Sequence, residues 1–128
     1  MTAKEMIRTD RAPAAVGPYS QGIREGELLF TSGQLPMTPE GELIIDDIER
    51  ATRRALANVE AVLDAGGAGL ADVVKVTIYL ADMDDFGAVK GIYGEVFAEP
   101  FPARSCVEVA RLPLNAPIEI EAVAVVVV

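Results

Sequence analysis

The chain has 128 residues, with 11 basic against 20 acidic side chains, a net charge of −9, one cysteine and no histidine. That length fits one domain over residues 1–128, and 51% apolar residues supply a real core. A polyanion partner is disfavoured. The lack of histidine removes the usual general base, the commonest metal ligand and the paired-histidine chemistry of many ribonucleases.

The single cysteine cannot close an internal disulfide, which fits a reducing compartment. The first ten residues lack the apolar centre of a signal peptide, and no apolar run reaches the roughly 18 residues of a membrane span. A soluble, cytoplasmic protein without membrane or nucleic-acid partner is expected.

Residues Glu5 to Thr9 suit a short edge strand. The Pro- and Ala-rich stretch Asp10 to Gly17 is a connector ending in a Gly17-Pro18 turn. Strands are expected at Ser20 to Arg24 and Leu28 to Ser32, paired as a hairpin through Glu25-Gly26-Glu27. Gly33 to Gly41, with two glycines and two prolines, reads as a loop. Ile48, Ala51, Ala55, Val59 and Val62 recur at spacings of three and four, with Leu56 and Leu63 on the same side. This is an amphipathic helix, started by a capping box of Asp46 and Glu49 and stopped at Gly66-Gly67. Arg50, Arg53 and Arg54 form its charged face, with Glu49 and Glu60 as neighbours.

Val74, Val76, Ile78 and Leu80 alternate with Lys75, Thr77 and Tyr79, the pattern of a strand. A second helix is expected from about Asp84 to Phe97, capped by Asp82 or Asp84, with Phe86, Val89, Tyr93 and Phe97 inward. Pro100 and Pro102 follow it, then strands at about Arg104 to Ala110 and Pro117 to Val127. The order β-β-β-α-β-α-β-β predicts an α+β domain with a mixed sheet and both helices on one face. Two helices leave the other sheet face uncovered. The last strand is apolar on both faces apart from Glu119 and Glu121, so burial by another copy of the chain is expected.

The most informative stretch is Pro102-Ala103-Arg104-Ser105-Cys106-Val107-Glu108-Val109-Ala110 with Ile118-Glu119-Ile120. It sets an arginine and two glutamates into runs that read as buried strands. Such charges must be paired or face a cavity, because burying a bare charge costs several kcal/mol. A guanidinium fork suits a carboxylate and a glutamate can accept a proton, which points to a small acid as ligand. The plainer alternative pairs Arg104 with Glu108, Glu119 or Glu121. Cys106 reads as a small buried hydrophobe, since no histidine exists to activate it.

Three segments carry a family resemblance: Ala12-Pro13-Ala14-Ala15-Val16-Gly17-Pro18-Tyr19-Ser20-Gln21, Phe30-Thr31-Ser32-Gly33-Gln34, and the Arg104 and Glu119 stretch just quoted. Together they resemble the RidA (YjgF) family of enamine and imine deaminases, over essentially the whole chain. The resemblance implies a chorismate-mutase-like subunit in a homotrimer, with a barrel-like core of sheets and sites between subunits. It implies that Arg104 binds the substrate carboxylate, that Glu119 positions or activates water, and that Tyr19, Ser32 and the backbone at Cys106 hold substrate. The implied reaction is hydrolysis of 2-aminoacrylate or 2-iminopropionate, and of the four-carbon analogue, to a 2-keto acid and ammonia, as in a 2-iminobutanoate/2-iminopropanoate deaminase. No metal or cofactor is expected.

Two further readings are a non-catalytic module that binds small carboxylates, as sensor or chaperone, and the endoribonuclease or translation-inhibitor label some relatives carry. Many relatives have Asn where this chain has Lys90. Lys90 shares a helical sector with Phe86, Tyr93 and Phe97, so it bears on substrate range more than on the core reaction.

Overall fold

Strict alternation in the last strand explains the centre of the structure. In this computed structural model, residues 3–126 are described. The strands are β1 (Glu5–Ile7), β2 (Gly22–Glu25), β3 (Leu28–Thr31), β4 (Val73–Leu80), β5 (Ala103–Glu108) and β6 (Ile118–Val125), with helices α1 (Ile48–Ala65) and α2 (Phe86–Val96). They form one six-stranded sheet in the order β1-β2-β3-β6-β4-β5. Only the β4–β5 pair is parallel. The mixed sheet, its element order and both helices therefore stand as expected; Val127, the expected end of the last strand, lies outside the described residues.

On β6, Ile118, Ile120, Ala122 and Ala124 are buried, as are their neighbours Val76, Ile78 and Leu80 on β4. Against them pack Ala51, Ala55, Leu56, Val59 and Leu63 of α1, with Val89, Ile92 and Tyr93 of α2. Each fully buried Leu, Ile or Val contributes about 1.5–3 kcal/mol relative to exposure, so this one-sided layer dominates the stability.

Two expected caps move by one residue or turn. Asp47, not Asp46, is the N-cap of α1: its Oδ1 accepts from the amides of Glu49 (3.0 Å) and Arg50 (3.2 Å). Asp46 instead pairs with the Arg50 side chain one turn on. Asp82 caps a single 3₁₀ turn, Met83–Asp85, and α2 proper starts only at Phe86. At the far end of α1, Gly67 takes φ +92°, a left-handed stop that any side chain would strain.

Val74 departs from the alternation. The β4–β6 register slips between Val73 and Lys75, so Val73 turns inward and Val74 is 47% exposed. The stretch beginning at Arg104 is also not a buried strand in this chain. It forms the edge strand β5, exposed along its length except at Cys106, because among the described residues no element pairs its outer side. The sheet face away from the helices carries Phe30, Tyr79, Val107, Glu119, Glu121 and Val123, with Phe30 43% and Val107 42% exposed. Among the described residues no element covers it.

Candidate functional site

Register decides where the candidate residues stand. Arg104 is paired with Val76 and Cys106 with Ile78, both buried under the helices. Glu119 is paired with Tyr79, on the open face. Within one chain, then, Arg104 and Cys106 lie on the helix side of the sheet and Glu119 on the other.

Glu119 lines a cleft of about 510 Å³ with Tyr19, Ser32, Gly33, Gln34 and Leu114. Burial pushes its carboxyl pKa above the ordinary glutamate value, and the like charge of Glu121 adds to the rise. Gly33 is shaped to this side chain: a Cβ there would stand 2.7 Å from the Glu119 carboxyl carbon. The strand-like exchange between Gln34 and Ile120 (2.8 and 3.1 Å) holds that backbone beside β6.

Tyr19 and Ser32 line the cleft and also finish local structure. The Tyr19 hydroxyl accepts a long bond from the Val16 amide (3.4 Å), across the Gly17-Pro18 turn. The Ser32 hydroxyl donates to the Ser20 carbonyl at 2.5 Å, and its amide to Gln21.

Two buried amides that sequence reading passed over shape the walls. Gln21 accepts from the Thr9 amide (2.7 Å) and donates to the carbonyls of Thr9 (3.1 Å) and Pro13 (2.8 Å), fixing the connector. Asn58, fully buried on α1, donates to the carbonyls of Leu35 (3.1 Å) and Met37 (2.8 Å) and accepts from Arg54 (2.8 Å). Asn58 falls on the apolar stripe between Ala55 and Val62, and a polar residue there is a legible signal. Gln21 gives no such signal beyond a connector whose carbonyls need donors.

Arg104 lies in a second cleft, of about 360 Å³, with Lys90, Tyr93, Gly94, Phe101 and Pro102. Its guanidinium carbon is 5.2 Å from the Phe86 ring centre and 5.0 Å from that of Tyr93. None of the carboxylates considered as its partners is within ion-pair distance among the described residues. Glu108 serves elsewhere, accepting from the Met83 amide at 2.8 Å. The Cys106 thiol is held protonated by burial, with Arg104 opposing in part, so it is a poor nucleophile. Among the described residues no group of three or more His, Cys, Asp or Glu is arranged to hold a metal, and no helix is long and apolar enough to cross a membrane.

The endoribonuclease L-PSP family model matches residues 9–126. The 2-iminobutanoate/2-iminopropanoate deaminase of Salmonella typhimurium is 47% identical over 122 residues, 93% of this chain and 95% of that protein. The chain belongs to the RidA (YjgF) family. A RutC family protein of Pyrococcus abyssi is 50% identical over 95% of this chain and 97% of its own. The crystal structure of Escherichia coli TdcF with bound serine superposes with a TM-score of 0.90 at 43% identity, covering 94% of this chain and 98% of that one. The α+β architecture is thus that of the family.

Proposed function

We propose that this protein hydrolyses reactive enamines and imines of small 2-amino acids to 2-keto acids and ammonia, as a homotrimer with its sites between subunits. The observation that carries this reading is the division of the site. A guanidinium with no ion-pair partner among the described residues waits on one face of the sheet, and a half-buried carboxyl with a raised pKa on the other. Neither half is a reaction centre alone. A second copy laid against the open face brings its Arg104 cleft to this Glu119 cleft, and it covers Phe30, Val107 and Val123 as well.

In that arrangement Arg104 holds the substrate carboxylate through its planar fork, fixed by Phe86 and Tyr93. Being an edge strand, β5 turns half of its backbone N–H and C=O groups outward, and those at Cys106 hold the ligand. The imine carbon is electrophilic once its nitrogen is protonated. Glu119 takes a proton from water as the oxygen adds to that carbon and returns it to the nitrogen of the resulting carbinolamine. As the C–N bond breaks, the remaining hydroxyl proton passes to Glu119, the carbonyl forms, and the departing ammonia carries that proton away as ammonium. A carboxyl with raised pKa is a stronger base than an ordinary glutamate, which favours its taking the proton from water. Tyr19, Ser32 and Gly33 shape the wall that orients the substrate.

The deaminase name of the Salmonella relative supports this reading. The serine of the TdcF structure favours a second reading, a module that binds small amino or keto acids without turning them over. The ribonuclease in the family's name fits poorly with a net charge of −9 and no histidine. A trapping assay separates these. 2-Iminopropionate made from alanine by an amino-acid oxidase is offered to semicarbazide with and without the protein. The deaminase slows semicarbazone formation, and Arg104→Ala abolishes the effect while the oligomer survives. No slowing with any imine, alongside measurable binding of pyruvate, establishes the binding module instead.

A further inference from the structure

The Arg104 cleft contains a second cation that the core reaction does not use. The three ion pairs among the described residues engage Arg11, Arg50 and Arg53, leaving Lys90 and Arg104 outside all of them. Both converge on one ring: the Lys90 ammonium is 5.9 Å and the Arg104 guanidinium carbon 5.2 Å from the centre of Phe86. They are the charged members of the cleft lining, whose other residues are Tyr93, Gly94, Phe101 and Pro102. Tyr93 is buried and its hydroxyl has no hydrogen-bond partner among the described residues, so an unused polar group stands in the same wall.

This arrangement runs against the composition. Acidic residues outnumber basic ones 20 to 11, yet two cations share a small cleft with no acidic residue in its lining. Two like charges repel, so these two exposed cations together give the cleft a positive potential that favours an anion. One carboxylate on Arg104 leaves Lys90 unanswered. A ligand with two acidic groups on a short chain answers both.

We propose that Lys90 makes this a site for imines of dicarboxylic 2-amino acids, with the 2-carboxylate on Arg104 and the side-chain acid on Lys90. The inference rests on the deaminase reading and deepens it by naming the substrate class. The reaction is unchanged in balance: water adds to the imine carbon, the C–N bond breaks, and a 2-oxo diacid and ammonia leave without any redox step. Lys90 is then a specificity residue, one turn of α2 from Phe86 and exposed at the mouth of the cleft.

The test compares imines generated from aspartate and from alanine, each followed by semicarbazide trapping. The wild-type protein has the higher kcat/KM for the aspartate imine. Lys90→Met lowers the ratio of the two kcat/KM values at least tenfold, and Lys90→Arg restores most of it. An unchanged ratio in Lys90→Met overturns the inference while leaving the deaminase intact. If the wild type hydrolyses neither imine, the deaminase reading fails and calorimetry with oxaloacetate and pyruvate decides the ligand class. A preference for the diacid that Lys90→Met loses upholds the role of Lys90; equal affinities overturn it.

Discussion

Arg104 and Glu119 occupy opposite faces of one sheet, Arg104 opposite Val76 on β4 and Glu119 opposite Tyr79. Side chains of a strand alternate, so no rotamer brings these two groups together in a single chain. The chemistry proposed for them therefore depends on how copies of the chain meet.

Arg104 is held by geometry as much as by charge. Its flat guanidinium lies within 5.2 Å of both the Phe86 and Tyr93 ring centres, and a fork binds a carboxylate through two bonds. Arg104→Lys keeps the charge and loses both features. The expected result is a fall of at least tenfold in kcat/KM for 2-iminopropionate, measured by semicarbazide trapping, with an unchanged oligomer.

Gly33 does not adopt the left-handed φ that favours glycine, so the obstacle to alanine is the Glu119 carboxyl, which occupies the place of a Cβ. Gly33→Ala pushes that flexible side chain aside. Activity is expected to drop at least tenfold, while the urea midpoint reports a stability change under about 1 kcal/mol. A variant with full activity would show that the position of Glu119 is not critical.

The fold was largely legible because its signals are periodic. The stripe from Ile48 to Leu63 and the alternation from Val76 to Leu80 each specify one buried face. What escaped was set by tertiary contact. Val74 fits the alternation and is turned out by a register slip that depends on β6. The Arg104 strand reads as buried from its small and apolar residues, yet edge position is decided by sheet order and not by local composition. Arg104 and Glu119 could be picked out as charges in apolar surroundings, but their separation by the sheet follows from pairing register alone. Gln21 was missed because its partners are backbone groups of a connector far along the chain, whereas Asn58 stood out as a polar residue on the apolar stripe and was passed over.

Asn58 ties α1 to the loop after β3 through Leu35 and Met37. Asn58→Ala removes the donor to the Met37 carbonyl and the acceptor of the Arg54 donor, while the Leu35 carbonyl keeps only the Met37 amide. A loss of about 1–3 kcal/mol is expected from urea unfolding. Because that loop also lines the Glu119 cleft, KM should rise as well.

The raised pKa of Glu119 has a consequence for stability. The folded state holds that proton more tightly than the unfolded chain, so folding loses free energy as pH climbs from the ordinary glutamate value through the raised one. Glu119→Gln escapes the loss. Its stability relative to wild type should increase between pH 4 and neutrality, read from urea midpoints at several pH values. A difference that stays flat across this range would mean that Glu119 titrates as it does in water.

The most direct test of the divided site is complementation. Arg104→Ala and Glu119→Ala chains, each inactive alone, are unfolded together, refolded as a mixture and assayed on 2-iminopropionate. In a cyclic trimer with sites between subunits, every mixed trimer regains one intact site of its three, so about a quarter of wild-type turnover should return. Mixed oligomers that form, as seen by mass spectrometry of two differently tagged chains, yet remain inactive would contradict a site shared between copies of this chain.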